Sequence, residues 1–139
     1  MWKIEIVDSA ELDPDEVAAV YRASGLAERR PSTDSAQFTD MIRNANLVVV
    51  ARVDERLVGI ARSISDRAYV TYLSDIAVDK EFQHQGIGRD LIEATRKAAP
   101  RAKVVLLSAP AAVGYYPHIG FTQHNSAWVR SPLAADPTS

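Results

Sequence analysis

The stretch that decides the fold is Asp75-Ile76-Ala77-Val78-Asp79-Lys80-Glu81-Phe82-Gln83-His84-Gln85-Gly86-Ile87-Gly88-Arg89. It leaves an apolar strand at Ile76-Ala77-Val78, turns through polar residues and two glycines, and enters a patterned helix. Beyond the turn, Ile87, Leu91, Thr95 and Ala98 fall on one stripe, with Ile92 and Ala99 beside it. Asp90 and Glu93 come early and Arg96 and Lys97 late, which suits the helix dipole. Arg89 to Glu93 and Glu93 to Lys97 are expected as ion pairs four residues apart, and Pro100 stops the helix. A strand, a glycine turn and a helix start form an anion trap. Glycines let the main chain come close, and the first helical N–H groups have no internal partner. The chain is therefore expected to bind a phosphate-bearing ligand.

Working outward, Lys103 to Leu107 is a predicted buried strand, so the helix crosses over between two parallel strands. Upstream, Leu47-Val48-Val49-Val50-Ala51, Leu57 to Ile64 and Tyr69 to Val78 are apolar runs separated by the turns Asp54-Glu55-Arg56 and Asp66-Arg67. These short turns predict an antiparallel meander. Trp2 to Val7 alternates like a half-buried strand. Asp13-Pro14-Asp15-Glu16 predicts a helix start with Asp13 as cap and Glu16 completing a capping-box-like pair; Val17, Val20 and Tyr21 form the apolar face, and Gly25 ends it. After the loop Glu28-Arg29-Arg30-Pro31, a second helix begins near Ser35 under an Asp34 cap, with Phe38, Met41 and Ile42 on one face. A short helix over Ala111 to His118 and a last strand over Phe121 to Val129 complete the predicted elements. Residues 1–130 are expected to form one domain and 131–139 a flexible tail.

Composition narrows the function. With 139 residues, 47% hydrophobic and 24% charged, the chain suits one globular domain. A net charge of -2 gives no sign of a general nucleic-acid or membrane binder. The absence of cysteine excludes disulfides, thiol nucleophiles and thiolate-held zinc, and His84, His118 and His124 lack metal-ligand spacing. No metal is expected. Met1-Trp2-Lys3-Ile4-Glu5-Ile6 lacks the apolar stretch of a signal peptide, and no run approaches the roughly 20 apolar residues of a membrane span. A soluble, cytoplasmic protein is the expectation.

Two familiar phosphate loops fail on spacing. A Walker loop needs lysine and then Ser or Thr after its second glycine, whereas Arg89 and Asp90 follow Gly88. The dinucleotide fingerprint needs a third glycine where Leu91 stands, and its first strand is not the end of a meander. The run Asp75 to Arg89 instead resembles the acyl-CoA-binding segment of the GNAT superfamily of N-acyltransferases: an apolar strand, a short acidic turn, then Gln/Arg-x-x-Gly-x-Gly/Ala opening a helix. Tyr115-Tyr116-Pro117-His118-Ile119-Gly120-Phe121 resembles that family's aromatic-Tyr-x-x-x-Gly-Phe segment. The element order matches as well, so the resemblance covers nearly the whole chain. One departure is Ala109, which stands where many relatives carry an asparagine that touches the pantetheine arm.

The resemblance implies a mixed, mainly antiparallel α/β (α+β) sheet of six to seven strands, flanked by about four helices, with two parallel central strands splayed apart. It implies direct transfer of the acetyl group of acetyl-CoA, a co-substrate, to a primary amine of a small molecule or protein. The pyrophosphate is expected on the backbone N–H groups of His84, Gln85, Gly86, Ile87, Gly88 and Arg89. Gln83 is expected either to orient that loop or to be a solvated turn residue. Backbone groups of Ile76, Ala77 and Val78 are expected along the pantetheine, and an N–H there polarises the thioester carbonyl. Tyr116 is the expected acid for the departing thiolate, against the alternative of a buried aromatic bonded to backbone; Tyr115 is expected in the core or pocket wall. Asp75, Asp66 or a water chain is the candidate base for the amine; Asp75 fits equally a role in holding a neighbouring loop. Arg29 and Arg30 fit either an acceptor bearing a carboxylate or phosphate or an exposed basic loop. The last strand, near Trp128, is a candidate for pairing in a homodimer. A non-catalytic acyl-CoA-binding or regulatory module on the same fold is the alternative function.

Overall fold

The computed structural model describes residues 1–31 and 34–134. Strand β1 (Lys3–Val7) is followed by helices α1 (Pro14–Ser24) and α2 (Ser35–Arg43), strands β2 (Leu47–Val53), β3 (Arg56–Ser65) and β4 (Val70–Val78), helix α3 (Ile87–Ala98) and strand β5 (Lys103–Val105). The strands form one sheet in sequence order, antiparallel from β1 to β4 and parallel between β4 and β5.

Local chemistry sets the ends of these elements. Asp13 caps α1 by accepting from the Asp15 N–H, Pro14 takes the first helical position, and Gly25 closes the helix at φ 89°. The capping-box expectation for Glu16 is corrected: its carboxylate meets Arg52 of β2 at 3.1 Å. Asp34 caps α2 through the Gln37 N–H. The β2–β3 hairpin closes on Asp54 and Glu55, both at positive φ, as a twisted two-residue loop requires. In the β3–β4 turn, one oxygen of Asp66 accepts from the N–H groups of Ala68, Tyr69 and Val70.

Helices cover both faces of the sheet. On one face α1 and α2 bury Val17, Val20, Tyr21, Phe38 and Ile42 against Val48, Val50, Ile60 and Ala77. On the other, α3 buries Ile87, Leu91 and Ile92 against Val49, Ala51, Val58, Ala61 and Leu73. Strand β2 therefore feeds both cores, which explains its unbroken apolar run. Between β3 and β4 the register slips: Arg62 pairs with Asp75 but Ser63 pairs with Leu73, leaving Ser74 as the extra residue of a bulge. The bulge changes which face the side chains take. Leu73 packs in the α3 core, whereas Ala77 packs in the α1–α2 core and Asp75 meets Tyr21 of α1.

Several expectations are corrected. The described residues form five strands and three α-helices, not six to seven strands and about four helices. Residues 111–118 make two short 3-10 turns instead of a helix, and 121–129 form no strand. The middle of that last segment, Thr122-Gln123-His124-Asn125-Ser126, is polar and offers no apolar face to bury against the sheet; Trp128 and Val129 stay exposed, and the strand invoked for subunit pairing is not formed. Strand β5 is shorter and more exposed than expected, because no further strand flanks it. The expected pairs of Glu93 with Arg89 and Lys97 are replaced by one with Arg96 at 2.9 Å. Of the expected tail, residues 135–139 lie outside the described residues.

Gly59 of β3 sets how closely α3 approaches the sheet. A Cβ there would lie 3.1 Å from an Ile87 methyl and 3.2 Å from a Leu91 methyl, tighter than packed side chains sit. Gly59→Val is therefore expected to cost about 1–3 kcal/mol through overpacking. A lowered urea midpoint at unchanged slope checks it, and an unchanged midpoint refutes the close-approach account.

Candidate active site

Strands β4 and β5 pair only from Val70–Lys103 to Tyr72–Val105. Beyond Tyr72, β4 runs on to Val78 with β3 on one side and no strand on the other. The two parallel strands thus part, although β5 is an edge strand and not the expected central one, and the gap opens into a cavity of about 880 Å³. Its walls come from β4 (Ser74, Ile76, Val78), the chain after β5 (Leu106, Leu107), the Gln83–Arg89 turn, the α1–α2 connection, and the Ala109–Tyr116 segment. A cavity of this size accommodates a large ligand.

The turn is held open toward that cavity. The Gln83 side-chain amide donates to the Val78 carbonyl at 2.8 Å, so Gln83 ties the turn to the end of β4. His84 takes φ 65° and Gly86 φ 107°, both left-handed. Gly86 stands at the cap of α3 and no side chain accepts from the first helical N–H groups. These donors and the helix dipole are left for an anion. A Cβ on Gly88 would meet only ordinary contacts, 3.8 Å from the Tyr115 hydroxyl and 3.9 Å from Ile76. Gly88 is therefore free of steric need within the protein, and its bareness keeps the mouth of the trap clear. The Trp2 indole N–H donates to Asp90 at 2.9 Å and fixes the first turn of α3 to β1.

Tyr116 lines the cavity, edge-on to Tyr115 at 5.4 Å and to Phe121 at 5.5 Å. Its hydroxyl has no protein hydrogen-bond partner among the described residues, so it is not the backbone-satisfied aromatic of the alternative expectation. Burial, with a smaller contribution from Tyr115, pushes its pKa up, so the phenol keeps its proton at neutral pH. Tyr115 is pocket wall, its hydroxyl directed at the start of α3. Of the predicted cofactor residues, Ile76, Val78, Gln83, His84, Gln85, Gly86, Ile87, Gly88 and Arg89 share this cavity; Ala77 faces the α1–α2 core.

Of the two roles expected of Asp75, the geometry favours the one that holds a neighbouring loop. Its side chain is fully buried, and one oxygen accepts from the Tyr21 hydroxyl at 2.6 Å and the Arg62 Nε at 2.6 Å. The other accepts from the Arg30 Nε at 2.5 Å. Burial alone would raise its pKa, but Arg62 and Arg30, with the Tyr21 hydroxyl, outweigh it and hold the carboxyl below its usual range. A carboxylate so saturated with donors is a poor proton acceptor, and Asp75 does not line the cavity. Asp66 fits no better. It caps the β3–β4 turn away from the cavity, and the N–H groups of Tyr69, Ala68 and Val70 lower its pKa. The sequence gives no signal for the Tyr21–Asp75–Arg62–Arg30 cluster, because its members come from four separated segments.

A mixed sheet whose strands part beside a cleft, with an uncapped helix start at its mouth, offers a place for a long ligand that carries an anionic group. The Acetyltransferase (GNAT) domain family matches residues 17–134, and the chain belongs to the GNAT family of acetyltransferases. GCN5-related N-acetyltransferase 2, chloroplastic, of Arabidopsis thaliana is 32% identical over 71 residues, covering 49% of this chain and 28% of that protein. The chain thus matches less than a third of the length of that curated relative. Among solved structures, the GNAT family protein SP0256 of Streptococcus pneumoniae TIGR4 superposes at TM-score 0.73 and 20% identity over 94% of this chain and 98% of that one. The aminoglycoside N-acetyltransferase AAC(6')-Iy in complex with CoA superposes at TM-score 0.71 and 14% identity, covering 96% of this chain and 95% of its own. At these identities the superpositions establish the fold.

The Asp75 cluster yields a test. Asp75→Asn leaves Arg62 and Arg30 facing a neutral amide, and the expected loss is about 3–5 kcal/mol. Because the carboxyl pKa is lowered in the fold, its stabilisation is present above the ordinary value of about 3.9 and is lost as pH falls through the lowered value. Wild-type stability should therefore fall steeply below about pH 4, and the variant's should flatten there. A variant as stable as wild type but slow in catalysis would restore Asp75 as a base.

Proposed function

We propose that this protein is an N-acetyltransferase that moves the acetyl group of acetyl-CoA onto a primary amine by direct attack in a ternary complex. The observation that carries the reading is the continuous cleft from the open edge of β4 to the uncapped start of α3, with an unpartnered Tyr116 hydroxyl on its wall. Family membership supports the donor and the reaction class. The residues present fit the donor: among those described, no carboxylate lines the cleft, and the N–H groups at Gly86 to Arg89 suit a pyrophosphate.

When bound, acetyl-CoA supplies an activated carbonyl and a thiolate leaving group. The chain's own groups do the rest. The free edge of β4 near Ile76 and Val78 holds the pantetheine amides as an added strand, and a β4 N–H receives the carbonyl oxygen as negative charge develops there. The amine nitrogen forms a bond to the carbonyl carbon as the carbon–sulfur bond breaks. The Tyr116 hydroxyl gives its proton to the departing sulfur. The nitrogen's surplus proton leaves through water in the open cleft, because Asp75 and Asp66 are both engaged elsewhere. The aminoglycoside in the name of one structural neighbour is not carried over, since that likeness is one of fold.

Two variants test the assignment. Gly88→Val places a branched side chain over the N–H groups of α3, its Cβ meeting only ordinary contacts inside the protein. It should raise the acetyl-CoA KM tenfold or more while the melting temperature without ligand stays near wild type; an unchanged KM places the anion elsewhere. Tyr116→Phe should lower kcat by about 100-fold with little change in the acetyl-CoA thermal shift, in line with the typical worth of a general acid. An unchanged kcat in a competent amine assay removes Tyr116 from proton transfer.

A further inference from the structure

The cleft is electrically one-sided. The charged side chains lining it, among the described residues, are Arg29, Arg30 and Arg89, with no Asp or Glu. Arg89 belongs to the first turn of α3, at the donor's anion trap. Arg29 and Arg30 stand apart from it. Arg30 is fastened at Ser74 and Asp75, donating from its Nη2 to the Ser74 carbonyl at 2.9 Å, and Asp75 lies three residues before Val78. At about 3.3 Å per strand residue, that anchor is about 10 Å along β4 from the start of the anion-binding turn.

The charges at this anchor do not cancel. One buried carboxylate, Asp75, faces two guanidiniums, Arg62 and Arg30, so a positive charge is left over beside the cavity. Arg30 also donates from its Nη1 to the Arg29 carbonyl at 2.8 Å, which fixes the backbone of the next cation. The Arg29 side chain is exposed, lines the cavity and has no hydrogen bond or ion pair among the described residues. The alternative of a solvated basic loop does not account for Arg30, whose three nitrogens are all committed to protein acceptors.

We propose that the acceptor is an amine carrying a carboxylate, in the manner of an amino acid, with Arg29 as the group that takes the carboxylate and the Arg30–Asp75 clamp as what positions Arg29. The inference rests on the acetyl-transfer reading and names its substrate class. A guanidinium fork matches a carboxylate in charge and geometry. The same field repels polycationic amines.

The test uses acceptors that differ only in the carboxylate: lysine against cadaverine, tyrosine against tyramine, histidine against histamine, with spermidine as a polycation. With acetyl-CoA present and thiol release as the readout, kcat/KM for the acid member of the preferred pair should exceed its decarboxylated partner by tenfold or more, mainly through KM. In Arg29→Gln that ratio should collapse toward one. Decarboxylated amines or spermidine used as well as the acids overturn the proposal. So does an Arg29→Gln effect confined to the acetyl-CoA KM, which would make Arg29 a donor contact. If no amine is acetylated, the transfer reading fails by itself, and the proposal is judged by thermal shift of the CoA-loaded protein. An upshift with the acids that their decarboxylated partners do not produce supports it; equal or absent shifts overturn it.

Discussion

The buried carboxylate of Asp75 joins more of the chain than any other single group described. It takes hydrogen bonds from Tyr21 of α1, Arg30 of the connection after α1, and Arg62 of β3. Through Arg62 it reaches α2 as well, because the Arg62 Nη1 donates to the Met41 carbonyl at 3.2 Å. Such a cluster is expensive to desolvate, and an apolar replacement of equal volume can be as stable. Its contribution is positional. It fixes α1, α2 and their connection over β4 at the point where the sheet begins to splay. The bulge at Ser74 makes this possible by turning Asp75 toward the α1–α2 face while Leu73 and Ile76 remain with α3.

The other side of the cleft is built on different physics. Helix α3 is held by apolar burial of Ile87, Leu91 and Ile92, by its close approach at Gly59, and by the Trp2–Asp90 hydrogen bond at its first turn. None of these groups needs to touch a ligand. Together they aim a row of backbone N–H groups at the cavity, and Gln83 sets the path of the chain into that row. Side-chain identity matters little in the turn itself, where two left-handed residues, His84 and Gly86, shape the main chain. The anion trap is thus a property of backbone geometry, fixed by a core some distance away.

That difference explains what the sequence makes legible. The meander, the caps at Asp13 and Asp34 and the stripe on α3 are local patterns, and each appears where expected. The turn from Gln83 to Gly88 is local too. Where the reading fails, a distant partner decides. Glu16 leaves its own helix cap for Arg52, thirty-six residues away in sequence. The polar stretch from Thr122 to Ser126 leaves 121–129 without an apolar face to bury, and no strand forms there. Asp75, read in one dimension, is an acid beside the reaction centre. Only the fold shows two arginines and a tyrosine already occupying it.

The two ends of the cleft therefore carry different kinds of specificity. The end at the turn presents N–H groups and a dipole that any chain with this strand–turn–helix geometry would present. The other end is lined by side chains from the α1–α2 connection and β4, held through a buried charge cluster with no sequence motif. Changing one member of that cluster changes the sign or position of charge at the cavity without disturbing the turn. The charge that this cluster leaves uncompensated beside the cavity is positive, and on the proposed reading it is the field that an acceptor amine would meet.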